Sequence, residues 1–323
     1  MDGMERRGHA LKKIDLKKGC GLELGPLYLP VVLKSEANIS YIDHMSTADL
    51  RKKYKGHPFP VEDIVEVDYV VGGSTLKKVV GGKKFDYVIA SHVIEHIPDV
   101  VSWLQDVASI LKPVGILSLV IPDKRFSFDI SRDVSRPSEV MGAYLDKLTK
   151  SNSAMIYDSA SEYRELSPSE AWANDIDKHL VEPNDRSLSE AMRRAKQHRK
   201  PGGYVDSHCY VFTPYSFFEI LRRLIRHHLF DYEVVYFADT AKDELEFYVS
   251  LQKVRTADTA KQLASLPTLT EPPGRQAHKL TKEIERLNAQ VQQLSAELAG
   301  IKQSKSWRIT QPLRAINQHA GRK

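Results

Sequence analysis

Three short apolar runs limit what this chain of 323 residues can become. Residues 64–67, 85–90 and 116–121 are unbroken or nearly unbroken in Val, Ile and other apolar side chains. A strand with one wet face alternates apolar and polar positions, whereas a continuous run marks a strand buried on both faces of a parallel sheet. Further strand-like segments lie at 21–24, 39–42, 232–237 and 245–251, and helical stretches at 28–35, 46–55, 74–80 and 98–111 fall between them. In the last of these Val100, Trp103, Leu104, Val107 and Leu111 share a face, with Pro98 in the first turn and Pro113 and Gly115 at the end. The alternation predicts an α/β fold built on an open, doubly wound sheet.

The pattern stops after Ile121. Residues 124–213 hold no strand-like patterning, only polar helical segments at 138–149, 167–180 and 187–197. Ninety residues exceed a plain connection between strands, so this stretch predicts a helical lid or substrate insertion. An apolar helix at 214–228 returns the chain to the sheet. The expected organisation is an N-terminal segment (1–18), the α/β domain (19–254) and a linker (255–278) around Pro272-Pro273-Gly274, then a coiled coil (279–303) and a basic amphipathic tail (304–323). Leu280, Ile284, Leu287, Val291, Leu294, Leu298 and Ile301 are spaced by alternating fours and threes, which predicts a parallel homodimer.

The formal net charge of +5 belongs to the tail. After Glu297 the chain has six cations and no acid, leaving 41 cations against 42 anions before them. A domain without net positive charge gives no electrostatic reason to bind a polyanion, and nucleic acid is not an expected partner. No window approaches the roughly 18 apolar residues that cross a bilayer, and residues 1–18 lack the apolar centre of a secretory leader. With only Cys20 and Cys209, neither a disulfide framework nor a structural zinc site is expected. The expected setting is cytoplasmic.

In doubly wound sheets, ligands bind beyond the carboxyl ends of the strands. Glu23-Leu24-Gly25-Pro26 ends the first strand and sets a carboxylate beside a tight turn. Asp43 ends the second, twenty residues after Glu23, where a carboxylate accepts both hydroxyls of a ribose. Asp68 ends the expected third strand, within reach of an adenine amino group. The fourth runs through Phe85-Asp86-Tyr87-Val88-Ile89-Ala90-Ser91-His92-Val93-Ile94-Glu95-His96.

This succession resembles the class I S-adenosylmethionine-dependent methyltransferases, in the branch whose fourth-strand motif ends in Glu-His. The resemblance covers roughly residues 19–252. It implies a seven-stranded sheet with an antiparallel last strand, and S-adenosylmethionine lying across the first and fourth strands. Glu23, Gly25 and Pro26 would then line the methionine part, Asp43 the ribose, Asp68 the adenine, and Ser91 or His92 the cofactor's edge. Leu27 stands where the family usually has its second glycine.

A methyl donor already activated as a sulfonium leaves alignment and deprotonation of the acceptor to the protein. Histidine suits the second task, with His92, His96 and His208 as candidates and Asp123, at the end of the fifth strand, as a fourth. No run of His, Asp or Glu has metal-ligand spacing, so no metal site is assigned; ligands converging from distant segments would leave a metal-assisted mechanism open. Ser304-Lys305-Ser306-Trp307-Arg308-Ile309-Thr310-Gln311-Pro312-Leu313-Arg314 resembles an ending found on bacterial surface-polysaccharide enzymes. That implies a glycan hydroxyl as acceptor, and peripheral contact with the inner face of the membrane or with an assembly partner. Three other readings stand at this point: a methyltransferase-fold scaffold without catalysis, a methyltransferase of a small molecule or protein, and a nicotinamide-dependent oxidoreductase.

Overall fold

Strand formation follows the apolar runs where both faces can be covered. A computed structural model describes residues 3–173, 183–200, 203–270 and 275–309. The chain divides into two units, Met1–Thr270 and Glu271–Lys323. The first holds seven strands: β1 (Cys20–Leu24), β2 (Asn38–Asp43), β3 (Tyr69–Val70), β4 (Phe85–Ser91), β5 (Leu111–Pro122), β6 (Tyr232–Ala238) and β7 (Glu246–Lys253). Their order is β3-β2-β1-β4-β5-β7-β6, and β7 is antiparallel to both its neighbours. The order reverses between β1 and β4, so the crevice of this fold opens at the carboxyl ends of those two strands.

The pleat divides the side chains between two apolar clusters. Leu22, Leu24, Val88 and Ala90 face one cluster with α4 (Val100–Ile110) and α9 (Pro214–Arg226). Tyr87 and Ile89 face the other, which α1 (Gly3–Ala10) helps to cover. Asp99 caps α4 by accepting from the Ser102 amide at 3.0 Å, and Thr213 caps α9 from Ser216. The remaining helices are α2 (Thr47–Lys53), α3 (Leu76–Val79), α5 (Pro137–Leu145), α6 (Ser153–Ser161), α7 (Pro168–Trp172), α8 (Asp185–His198) and α10 (Thr259–Ser265). Helices α5 to α8 fall within the predicted insertion, and α6 had no counterpart in the sequence reading.

Four expectations are corrected. Residues 28–35 form turns, because Pro30 lacks an amide hydrogen and Glu23 captures the amides of Val31 and Val32 at 2.7 and 3.2 Å. Residues 64–67 are not a strand: Val65 N bonds Leu27 O and Val67 N bonds the Thr47 hydroxyl, leaving the pairing with β2 to Tyr69 and Val70. The N-terminal segment belongs to the domain, since the Ser118 hydroxyl in β5 donates to Ala10 O. Much of the presumed linker does too: α10 docks through Gln262, whose amide donates to Phe230 O and Tyr232 O.

In the second unit, α11 (Arg275–Gln303) is one 29-residue helix, followed by α12 (Lys305–Ile309). Ile284, Leu287, Val291, Leu294, Leu298 and Ile301 are all exposed along α11. Thr310 to Lys323, most of the expected basic tail, lies outside the described residues.

One close approach carries a stability prediction. Gly21 pairs with Tyr87, and a Cβ on it would fall 2.1 Å from the tyrosine ring. Gly21→Ala should therefore destabilise the domain by about 1–3 kcal/mol, the usual cost of overpacking, seen as a lowered Tm. An unchanged Tm would mean that the Tyr87 ring yields freely.

Candidate active site

The carboxyl edge of the sheet gathers the side chains that the sequence singled out, but in different roles. Gly25 has φ +60° and follows β1 into the turn; a Cβ there would meet Val93 at 3.5 Å. Leu27 is also left-handed, at φ +48°, so it adopts the backbone conformation a glycine would take easily. Pro26 is buried between them. Asp43 lies at the end of β2, 8% exposed, with Oδ1 accepting from its neighbour's amide, His44 N, at 2.6 Å.

Three of the expected site residues serve the scaffold instead. Both Glu23 oxygens accept amides of the 31–32 turn; burial pushes its pKa up to about 7, against those two donors. Asp68 precedes β3, level with Tyr41 in the carboxyl half of β2, and accepts from Tyr41 N and Lys34 Nζ, each at 2.7 Å. Asp123 is fully buried, with its oxygens committed to the Arg125 guanidinium and amide and to the Thr240 hydroxyl. A carboxylate so occupied does not serve as a base.

Residues the sequence reading passed over organise the edge. Glu246 opens β7, and because β7 runs antiparallel its first residue lies at the carboxyl ends of its neighbours. It accepts from Arg6 Nε at 2.7 Å and Tyr248 Oη at 2.7 Å, and lies 2.5 Å from His92 Nε2. Arg6, on α1, also donates to the Ser91 hydroxyl at 2.9 Å. His92 itself is left-handed, φ +53°, at the end of β4. A non-glycine residue in that region is held there by its surroundings, here by Glu246.

The insertion returns at the same place. Cys209 N and Tyr210 N both donate to Glu95 O, at 2.7 and 3.1 Å. This sets His208 against His96, with ring centroids 4.7 Å apart and planes perpendicular. His96 Nδ1 lies 3.0 Å from Asp206 Oδ1, and His208 Nδ1 bonds Asp129 Oδ2. Arg132 in turn holds Asp129, donating from Nη1 at 2.9 Å. A carboxylate only accepts, so each pairing puts the ring proton on Nδ1 and leaves Nε2 with its lone pair. Burial alone would lower the pKa of His96, but Asp206 and Glu95 outweigh it and the net shift is upward. Asp206 is held down to about 2 by His96 and Lys53 despite its burial. The Cys209 thiol is pushed up to about 12 by burial, which leaves it inert. Sequence spacing suggested no metal set, yet Glu95, His96 and His208 offer ligand atoms within 4.8 Å of one another.

Residues 29–175 match the family described as a methyltransferase domain. The seven-stranded sheet order and the crevice at β1 and β4 are those of a Rossmann-like methyltransferase fold, and the matched residues make up less than half of the chain. No curated protein matches the chain. It is similar to the CurJ carbon methyltransferase, with 12% identity over 76% of this chain and 51% of that one and a TM-score of 0.35. It is similar to an S-adenosylmethionine-dependent methyltransferase from Methanosarcina mazei, with 14% identity, 75% and 95% coverage and a TM-score of 0.36. For the N-methyltransferase NodS from Bradyrhizobium japonicum the figures are 10% identity, 78% and 96% coverage and 0.33. The chain spans about half the length of the CurJ structure. No helix among the described residues is long and apolar enough to cross a membrane.

The Glu246 cluster makes stability depend on pH. Burial opposes its charge, but His92 and Arg6 hold the pKa down to about 2, against an ordinary 4.5. Its contribution is therefore complete above about pH 4.5 and lost as the pH falls towards 2. The pKa of His92 is raised, so its contribution is complete below its ordinary 6.5 and lost as the pH climbs through the raised value. Unfolding free energies from urea titration should fall on the acid side by about 2–3 kcal/mol in wild type, and this limb should flatten in Glu246→Gln. A variant with the wild-type acid limb would place the pH dependence elsewhere.

Proposed function

We propose that the chain transfers the methyl group of S-adenosylmethionine to a hydroxyl, on a sugar of a surface polysaccharide or its lipid-linked precursor. The observation that carries this is the meeting of three carboxylate-backed imidazoles beside the β1–β4 crevice: His92 with Glu246, His96 with Asp206 and His208 with Asp129. A hydroxyl must lose its proton as it attacks the sulfonium methyl, and an imidazole oriented by a carboxylate accepts it. Gly25, Pro26, Asp43, Ser91 and His92 are the residues that would meet the cofactor. Asp43 supports the ribose assignment by its place at the end of β2, and the left-handed turn at Leu27 supports a cofactor loop that keeps its path without the second glycine.

The insertion supports the choice of acceptor. A cavity of about 770 Å³ is lined by Arg136, Glu139, Asp146, Asn152 and Tyr157, with Tyr210 two residues on from His208. Paired donors and acceptors beside a phenol suit the hydroxyls and ring face of a sugar. The glycan assignment rests further on the resemblance of residues 304–314 to the ending of polysaccharide enzymes. On the same reading, the exposed apolar stripe of α11 pairs with a second copy of the chain, and the basic tail contacts an anionic membrane surface or an assembly partner.

Transfer of labelled methyl from S-adenosylmethionine to lipid-linked and free oligosaccharides tests the assignment. His92→Ala, His96→Ala or His208→Ala, whichever removes the base, should lower kcat by about 10²-fold or more, with the KM for S-adenosylmethionine little changed in His96→Ala and His208→Ala. If all three variants retain full turnover, the proton is taken elsewhere.

A further inference from the structure

Glu95 is fully buried, and neither of its carboxylate oxygens has a hydrogen-bond partner. A buried carboxylate without a donor is costly, and proteins keep one chiefly where a cation or a reacting group completes it. Its nearest titratable neighbours are imidazoles. One of its oxygens and one ring nitrogen each of His96 and His208 lie within 4.8 Å of one another, and His92 Nδ1 is 3.8 Å from Oε1.

The surroundings match those of a metal ligand set more closely than those of an ion pair. Both imidazoles give their Nδ1 protons to carboxylates, Asp206 and Asp129, which fixes the tautomer that leaves Nε2 free to bind. Outer carboxylates that orient ligand histidines and raise their basicity are a recurrent device at such centres, and Asp129 is itself fixed by Arg132. The set is assembled by the fold rather than by a local motif: Glu95 and His96 follow β4, while His208 arrives from the far end of the insertion, locked by two amides on Glu95 O.

We propose that Glu95, His96 and His208 bind one divalent transition-metal ion. Two imidazoles and one carboxylate select an ion of borderline character, such as zinc, iron(II) or cobalt(II), over magnesium or calcium, which prefer oxygen. Three protein ligands leave positions open for oxygens of the acceptor. Resting on the methyltransferase reading, the role of the ion is to bind the acceptor hydroxyl and make it more acidic. The O–H proton then passes to His92 Nδ1. The oxygen forms its bond to the methyl carbon as the carbon–sulfur bond breaks, and the electron pair of that bond stays on sulfur in S-adenosylhomocysteine.

Cobalt(II) titration of the chelator-treated full chain, followed by its visible ligand-field bands, tests the site, and calorimetry with S-adenosylhomocysteine is run on the same samples. Wild type should take up one cobalt ion, displaceable by zinc, and Glu95→Gln, His96→Ala and His208→Ala should each bind it at least roughly tenfold more weakly. The metal-free Glu95→Gln protein should melt no lower than wild type, since it loses a buried carboxyl group that has no hydrogen-bond donor. Cobalt should raise the Tm of wild type but not of this variant. No uptake by wild type at millimolar cobalt, or uptake undiminished in all three variants, overturns the metal site. If the protein without uptake still binds S-adenosylhomocysteine, the methyltransferase reading stands without it; metal uptake by a chain that ignores S-adenosylhomocysteine overturns that reading alone.

Discussion

Two backbone hydrogen bonds onto one carbonyl decide how the insertion meets the sheet. Glu95 O accepts from Cys209 N and Tyr210 N, and this pins the returning chain just beyond the end of β4. His208 comes to rest against His96 because of it, and Tyr210 goes on to donate its hydroxyl proton to Pro98 O beside the cap of α4.

Around that anchor, charge is arranged in pairs. Each histidine of the edge is backed by a carboxylate from another part of the chain: Glu246 from the antiparallel strand, Asp206 from the return of the insertion, Asp129 from its start. Arg6 and Arg132 then hold Glu246 and Asp129. Such pairing orients the imidazoles before any ligand arrives, which favours reaction without reorganisation. It also concentrates negative charge where a cation or a developing proton transfer would be stabilised.

Much of the fold was legible because burial on both faces writes itself as continuous apolar sequence. β4 and α4 follow the residues expected of them, and the seven-stranded sheet agrees with the resemblance. The failures have physical causes. β3 is only two residues long, too short for any periodicity, and the apolar run before it pairs with loop atoms instead. The 28–35 segment has helical composition, but Glu23 and Pro30 take its amides out of the helical pattern. Residues 255–278 read as linker through their prolines, yet one glutamine reaching two carbonyls docks α10. Of the candidate site, the histidines could be picked out as residue types in plausible places. Their carboxylate partners could not, because pairs such as His92 and Glu246 are 154 residues apart and are joined only by topology. The antiparallel sense of β7 was the available clue to Glu246.

The proposed methyl transfer requires the β1–β4 crevice to hold S-adenosylmethionine, with Asp43 on its ribose. Calorimetric titration of the full chain with S-adenosylhomocysteine tests it most directly. The account predicts one site per chain, with affinity weakened about tenfold or more in Asp43→Ala, as expected for loss of hydrogen bonds to a charged group, and no comparable binding of NAD. Absence of binding at millimolar S-adenosylhomocysteine, or equal affinity in Asp43→Ala, would contradict it.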